Sequence, residues 1–102
     1  MYRNTNTTQR PTITRFALGQ TYITPGAEEA LMIAGQTGIE FLRRHMSQDW
    51  GELSDDDARE NELSLREGFR VLSAYRTAKG QQLWIITEAD RSSTTILLPD
   101  EY

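Results

Sequence analysis

The chain has 102 residues, enough for one domain with a single thin core and too few for two domains of ordinary size. Its 15 acidic residues outweigh 11 Lys and Arg, a formal charge of −4. That balance argues against an extended nonspecific nucleic-acid surface, whose affinity comes from clustered cations. With no cysteine, disulfides, thiolate metal sites and cysteine nucleophiles are excluded together, which suits a reducing cytoplasm.

Residues 1–11 are rich in Asn, Thr, Gln and Arg and close on Pro11, too polar to bury much apolar area, so they read as a flexible tail before a single domain over 12–102. No signal-like stretch is expected at the start, and nothing approaches the run of about 20 apolar residues that spans a bilayer. The expectation is a soluble, cytoplasmic protein. Residues 12–18 alternate polar and apolar, and Gly19-Gln20 can turn them into Thr21-Tyr22-Ile23-Thr24 as a hairpin. Thr24, Pro25 and Glu28 have the spacing of a helix entry, with Gly35 as the stop. Thr37 and Glu40 open a second helix whose inner face is read as Ile39, Phe41, Leu42 and Met46, with Arg43, Arg44 and His45 in its last turns.

Ser54 before Asp55, Asp56 and Asp57 caps a third helix over about 55–67, a polar element with Ala58, Leu63 and Leu65 as scant anchors. It is expected to be exposed or to lean on Trp50. The last third reads as three strands, Gly68–Thr77, Leu83–Thr87 and Thr94–Pro99, short, rich in β-branched and aromatic residues and separated by turn formers. The expected architecture is therefore α+β: an N-terminal extended segment or hairpin, two to three helices, then a three-stranded antiparallel meander packed against the helices. Leu31, Ile39, Phe41, Leu42, Leu72, Trp84, Ile86, Ile96 and Leu98 are the core candidates.

His45, the one histidine, is the side chain whose unperturbed pKa suits proton transfer near neutrality. If the sheet packs on the second helix, His45 can meet Arg70, Tyr75, Thr87, Arg91 or Thr94. Histidine with arginine and hydroxyl partners is what metal-independent RNA cleavage requires. The structural reading is a histidine at a helix C-terminus, bonded to a carbonyl or to Asp49. Thr87 to Ser92 reads either as a hairpin loop or as a rim on which Glu88, Asp90 and Arg91 meet a ligand. No complete metal-loop pattern, nucleotide-binding loop or serine-hydrolase elbow occurs, and neither metal nor cofactor is expected. Trp50, in an acidic Gly-ended loop, reads either as a partner-contacting aromatic or as a lid over the core edge.

The combination His45-x3-Asp49-Trp50-Gly51, Asn61, Gly68-x-Arg70-x2-Ser73-x-Tyr75 and Trp84 through Ser92 followed by Thr94-Thr95-Ile96-Leu97-Leu98-Pro99-x2-Tyr102 resembles a set of short bacterial proteins associated with plasmids and integrating elements. The resemblance spans roughly residues 12–102 and implies a setting, not a mechanism. Helices followed by an antiparallel sheet are also similar, at the level of architecture alone, to small barnase-like and RelE-like ribonuclease toxins. The favoured expectation is an interaction protein of a mobile element, binding a protein partner through Trp50, Asp55, Asp56, Asp57 and Glu60, as an acidic inhibitor that covers a basic nucleic-acid channel. The alternative is a ribonuclease acting on RNA through His45, Arg70, Tyr75, Arg91 and Thr94. A homodimer through a sheet edge is the third expectation.

Overall fold

A computed structural model describes residues 16–102. The expected tail, and the expected hairpin's residues 12–15, lie outside the described residues. In chain order the elements are β1 (Gln20–Ile23), α1 (Pro25–Ala34), α2 (Gly38–Met46), α3 (Asp55–Glu67), β2 (Val71–Arg76), β3 (Gln82–Thr87), β4 (Ser93–Leu97) and a short 3₁₀ turn (Pro99–Glu101).

The fold is α+β, with three helices and one four-stranded mixed sheet in the order β1-β4-β3-β2. This corrects the three-stranded antiparallel meander. β2, β3 and β4 do pair antiparallel in sequence order, but β1 adds alongside β4 in parallel, with Thr21 opposite Thr94 and Ile23 opposite Ile96. Phe16 to Leu18 form no strand, so among the described residues there is no N-terminal hairpin. Gly19 explains the difference. It is held at φ 67° against the loop before β4, where a Cβ would stand 2.3 Å from the Ser92 carbonyl oxygen. Only glycine tolerates both that φ and that approach, so the residues delivering the chain to β1 dock on the β3–β4 loop and do not fold back on β1.

The helix boundaries follow local chemistry. Thr24 caps α1 by accepting from the Ala27 amide at 3.3 Å, and Gly35 closes it in the left-handed conformation. Glu101 reinforces that start from the far end of the chain: its carboxylate accepts from the Thr24 hydroxyl and from the Gly26 and Leu98 amides. Ser54 accepts from the Asp57 amide and Gly68 ends α3.

The inner sheet face carries Val71, Ser73, Tyr75, Leu83, Ile85, Thr87, Thr94 and Ile96, all buried. The central cluster joins Tyr75, Leu83, Ile85 and Ile96 to Ala27 and Leu31 of α1 and Phe41 of α2. Ile39, a core candidate, is instead 58% exposed. α2 turns the i, i+4 pair Phe41 and His45 inward, which rotates Ile39 to the outside.

The outer edge of β2 is covered by its own chain. The Asn61 amide brackets Leu72, donating to its carbonyl and accepting from its N–H at 3.1 Å. One step along, Ala74 donates to the Trp50 carbonyl and accepts from the Glu52 amide. Gly51 makes the second contact possible, since a Cβ there would lie 2.0 Å from the Ala74 oxygen. An edge satisfied in this way offers no ladder to another chain, whereas no such bracket is seen among the described residues along β1, the other terminal strand of the sheet.

Candidate functional site

His45 does not reach a surface. It is fully buried beneath α2, with Ser73 of β2 and Thr87 of β3 against its two ring nitrogens. The rings of Phe16 and Trp50 pack against it edge-on, 5.2 and 5.8 Å between centroids.

With the imidazole neutral, as burial favours, the hydrogen atoms in this cluster have one consistent arrangement. The Leu18 carbonyl accepts from the Thr94 hydroxyl at 2.7 Å, so Thr94 can only accept from Thr87, also at 2.7 Å. Thr87 has then spent its proton and accepts from His45 Nε2–H at 2.9 Å. Nδ1 is left as an acceptor, and the Ser73 hydroxyl donates to it. The chain therefore runs one way, from Ser73 through His45, Thr87 and Thr94 to Leu18, with the imidazole neutral. Burial pushes the His45 pKa down to about 3, and the nearby Arg91 cation adds to the effect.

The other residues proposed for proton transfer are also occupied. Tyr75 is buried and donates to the Asp49 carbonyl at 2.6 Å; burial pushes its phenol up to about 12. The Arg44 guanidinium stacks 4.6 Å from the Tyr75 ring centroid and pairs with Asp49 through two nitrogens, so Asp49 is the partner of Arg44 and not of His45. Arg91 spends its guanidinium on the carbonyls of Ser64, Phe69, Glu88 and Ala89, tying the β3–β4 loop to the end of α3. Within that loop Asp90 accepts from the Ser92 amide at 3.0 Å, the turn role read for it. Arg70 lies elsewhere, bonded to the Tyr102 hydroxyl at 2.8 Å. Of the five residues grouped by the ribonuclease expectation, the fold buries His45, Tyr75 and Thr94, sets the half-buried Arg91 near His45 and leaves Arg70 elsewhere. A histidine with no exposed surface and both nitrogens bonded has no route for exchanging a proton with a substrate in this conformation.

Trp50 requires a similar correction. It is 6% exposed, packs on His45 and donates its indole N–H to Glu62 of α3 at 3.0 Å, so it anchors α3 to the core and presents no ring to a partner. The acidic members of the expected partner surface stand differently. Asp55, Asp56, Asp57 and Glu60 are all exposed on α3, and among the described residues only Asp56 has a cation beside it, Arg59 one turn on.

Sequence reasoning missed a groove beside them. It lies between α3 and the outer sheet face, holds about 420 Å³ and has Leu53, Leu72, Trp84, Ile86 and Tyr102 as its apolar lining. Asp57, Glu60 and Arg70 stand at its margin. The available signal was the i, i+3, i+4, i+7 set Asp57, Glu60, Asn61 and Ser64, a polar stripe on a helix that must nonetheless touch a sheet. Among the described residues no group of three His, Asp or Glu side chains has a metal-holding arrangement, and no helix is long and apolar enough to cross a membrane. Comparison of the chain with protein-family models, curated proteins and solved structures finds no match.

Proposed function

We propose that the protein is a small interaction protein of a mobile genetic element that binds a nucleic-acid-binding protein and covers its basic surface with the acidic first turns of α3. The observation that carries this reading is the exposure of Asp55, Asp56, Asp57 and Glu60 along one helix, with a single ion pair among them. Exposed like charges crowded into the first turns of one helix attract a cationic partner over about a Debye length, roughly 8 Å at physiological salt. They also set specificity more than raw affinity. The mobile-element setting comes from the resemblance carried by the His45 to Gly51, Asn61, Gly68 to Tyr75 and Trp84 to Tyr102 segments. RNA cleavage by His45 is the less favoured reading, because the imidazole is enclosed.

The test is capture of a partner from host lysate by the full chain, followed by release with added DNA or RNA and by rising salt. The expected result is a nucleic-acid-binding protein released by both. Asp55→Lys, Asp56→Lys and Asp57→Lys together should abolish the capture. Retention of the same partner by that variant, with the same salt dependence, would sink the reading.

A further inference from the structure

The walls of the groove under α3 are chemically mismatched. Its floor is apolar, built from Leu72, Trp84 and Ile86 on the outer face of β2 and β3. A helix packed only for stability turns its apolar stripe to such a floor. α3 turns Asp57, Glu60, Asn61 and Ser64 to it, while Leu63 is 40% exposed. Asn61 is spent on the β2 edge. Asp57 and Glu60 overlook the floor with no ion pair to any described residue.

The cation that lines the groove does not neutralise them. Arg70 bonds the Tyr102 hydroxyl, and its guanidinium sits 5.7 Å from the Tyr102 ring centroid. Tyr102 in turn meets the Trp84 ring edge-on at 5.9 Å. One side of the groove thus already holds a guanidinium against an aromatic ring, and the acidic side lacks its counterpart. A ligand that completes it brings positive charge for the carboxylates and apolar bulk for the floor. A protein segment supplies both at side-chain spacing, the usual composition of a groove-bound peptide.

We infer that this groove receives a partner segment in which Arg or Lys flanks a bulky apolar side chain, the apolar group on Leu72, Trp84 and Ile86 and the cation at Asp57 and Glu60. This rests on the interaction reading above and adds the place and chemistry of the contact.

The experiment is an NMR titration of the ¹⁵N-labelled full chain with the acetylated tetrapeptide amide Leu-Arg-Phe-Arg, against Leu-Glu-Phe-Glu and Ser-Arg-Ser-Arg as controls. The expected result is saturable movement of the Trp84 indole and of the Leu72 and Ile86 amides, with the buried Trp50 indole unmoved. Both controls should bind at least about fivefold more weakly, the scale of one partly shielded ion pair. Asp57→Asn with Glu60→Gln should erase the preference for Arg over Glu. Absence of saturable shifts in the groove, or equal affinity for all three peptides, overturns the inference. Binding that emerges only after Arg3, Arg10 and Arg15 are changed to Gln also overturns it, by assigning the groove to the chain's own basic N-terminal residues. Asp55 and Asp56 do not line the groove, so the two proposals fail separately. If Asp55→Lys with Asp56→Lys abolishes partner capture while the groove stays silent to peptide, this inference falls and the reading of the acidic first turns stands.

Discussion

The two faces of the sheet use polar side chains in opposite ways. On the inner face Ser73, Thr87 and Thr94 are buried, and their bonds through His45 run in one direction to a single carbonyl. On the outer face Asp57 and Glu60 look across an apolar floor without cations of their own. A buried polar group left without a partner costs about 1–3 kcal/mol, so the inner set must be complete for the fold to stand. The outer set faces water and carries no such penalty. Polar residues that look equally reactive in the sequence therefore divide into one group consumed by folding and another left for binding.

Breaking the inner chain is the strongest way to test that division. His45→Ala removes a packed ring and strands both Ser73 and Thr87, and should cost about 3–4 kcal/mol in urea denaturation. A variant within about 1 kcal/mol of the wild type would show that the cluster does not hold the fold.

Acid should attack the same point without mutation. The His45 pKa is about 3 in the folded chain against 6.5 as the ordinary value, so above pH 6.5 neither state binds the proton and nothing is lost. Below pH 6.5 the unfolded chain takes up a proton that the folded one refuses. Stability should then fall by about 1.4 kcal/mol per pH unit until the folded pKa is reached. Asp49, bonded to Arg44, Asp90, bonded within its loop, and Glu101, bonded to Thr24, also have lowered pKa values, but an unfolded carboxylate takes up little proton above about pH 5.5. The window from 6.5 to about 5.5 thus belongs to His45, and a flat stability profile across it would contradict the assignment.

Thr87→Val is the next step down. It keeps the shape of the side chain but leaves His45 Nε2–H without an acceptor and Thr94 without a donor, and should cost about 2 kcal/mol by the same denaturation measurement. The smallest effect belongs to the outer face: Asp57→Asn with Glu60→Gln should cost no more than about 1 kcal/mol, the lost first-turn charge of Asp57, while changing peptide binding. A larger loss would mean that the groove carboxylates serve the fold beyond the helix dipole.

What the sequence made legible is what is decided locally. The caps of α1 and α3 rest on Thr24 and Ser54 bonding residues three positions on, and the strands β2 to β4 on short β-branched runs, so a one-dimensional reading reached them. β1 was readable as a strand, but its partner was not, because the parallel pairing with β4 joins residues more than 70 positions apart. The inward turn of His45 was legible only as a condition, that the sheet pack on the second helix, for a related reason. The apolar spacing of α2 suggested Ile39, Phe41, Leu42 and Met46, and a histidine enters a core only when distant hydroxyls are there to receive it. Trp50 read as a loop residue because Gly51 and its acidic neighbours imply a turn. Its burial depends on Gly51 approaching Ala74 and on Glu62 of α3. The groove was illegible because it is a gap between a helix and a sheet edge, and neither segment encodes the gap alone.

The division of the two faces stands on His45 being a structural group, and its single imidazole makes the decisive measurement simple: the ¹⁵N shifts of the His45 ring between pH 7.5 and pH 5. The account predicts a neutral ring protonated on Nε2, with Nδ1 in the range of an acceptor and both signals unchanged across the series. A ring that titrates near its ordinary value of 6.5, or that carries its proton on Nδ1, would contradict the one-way chain and return His45 to the residues available for chemistry.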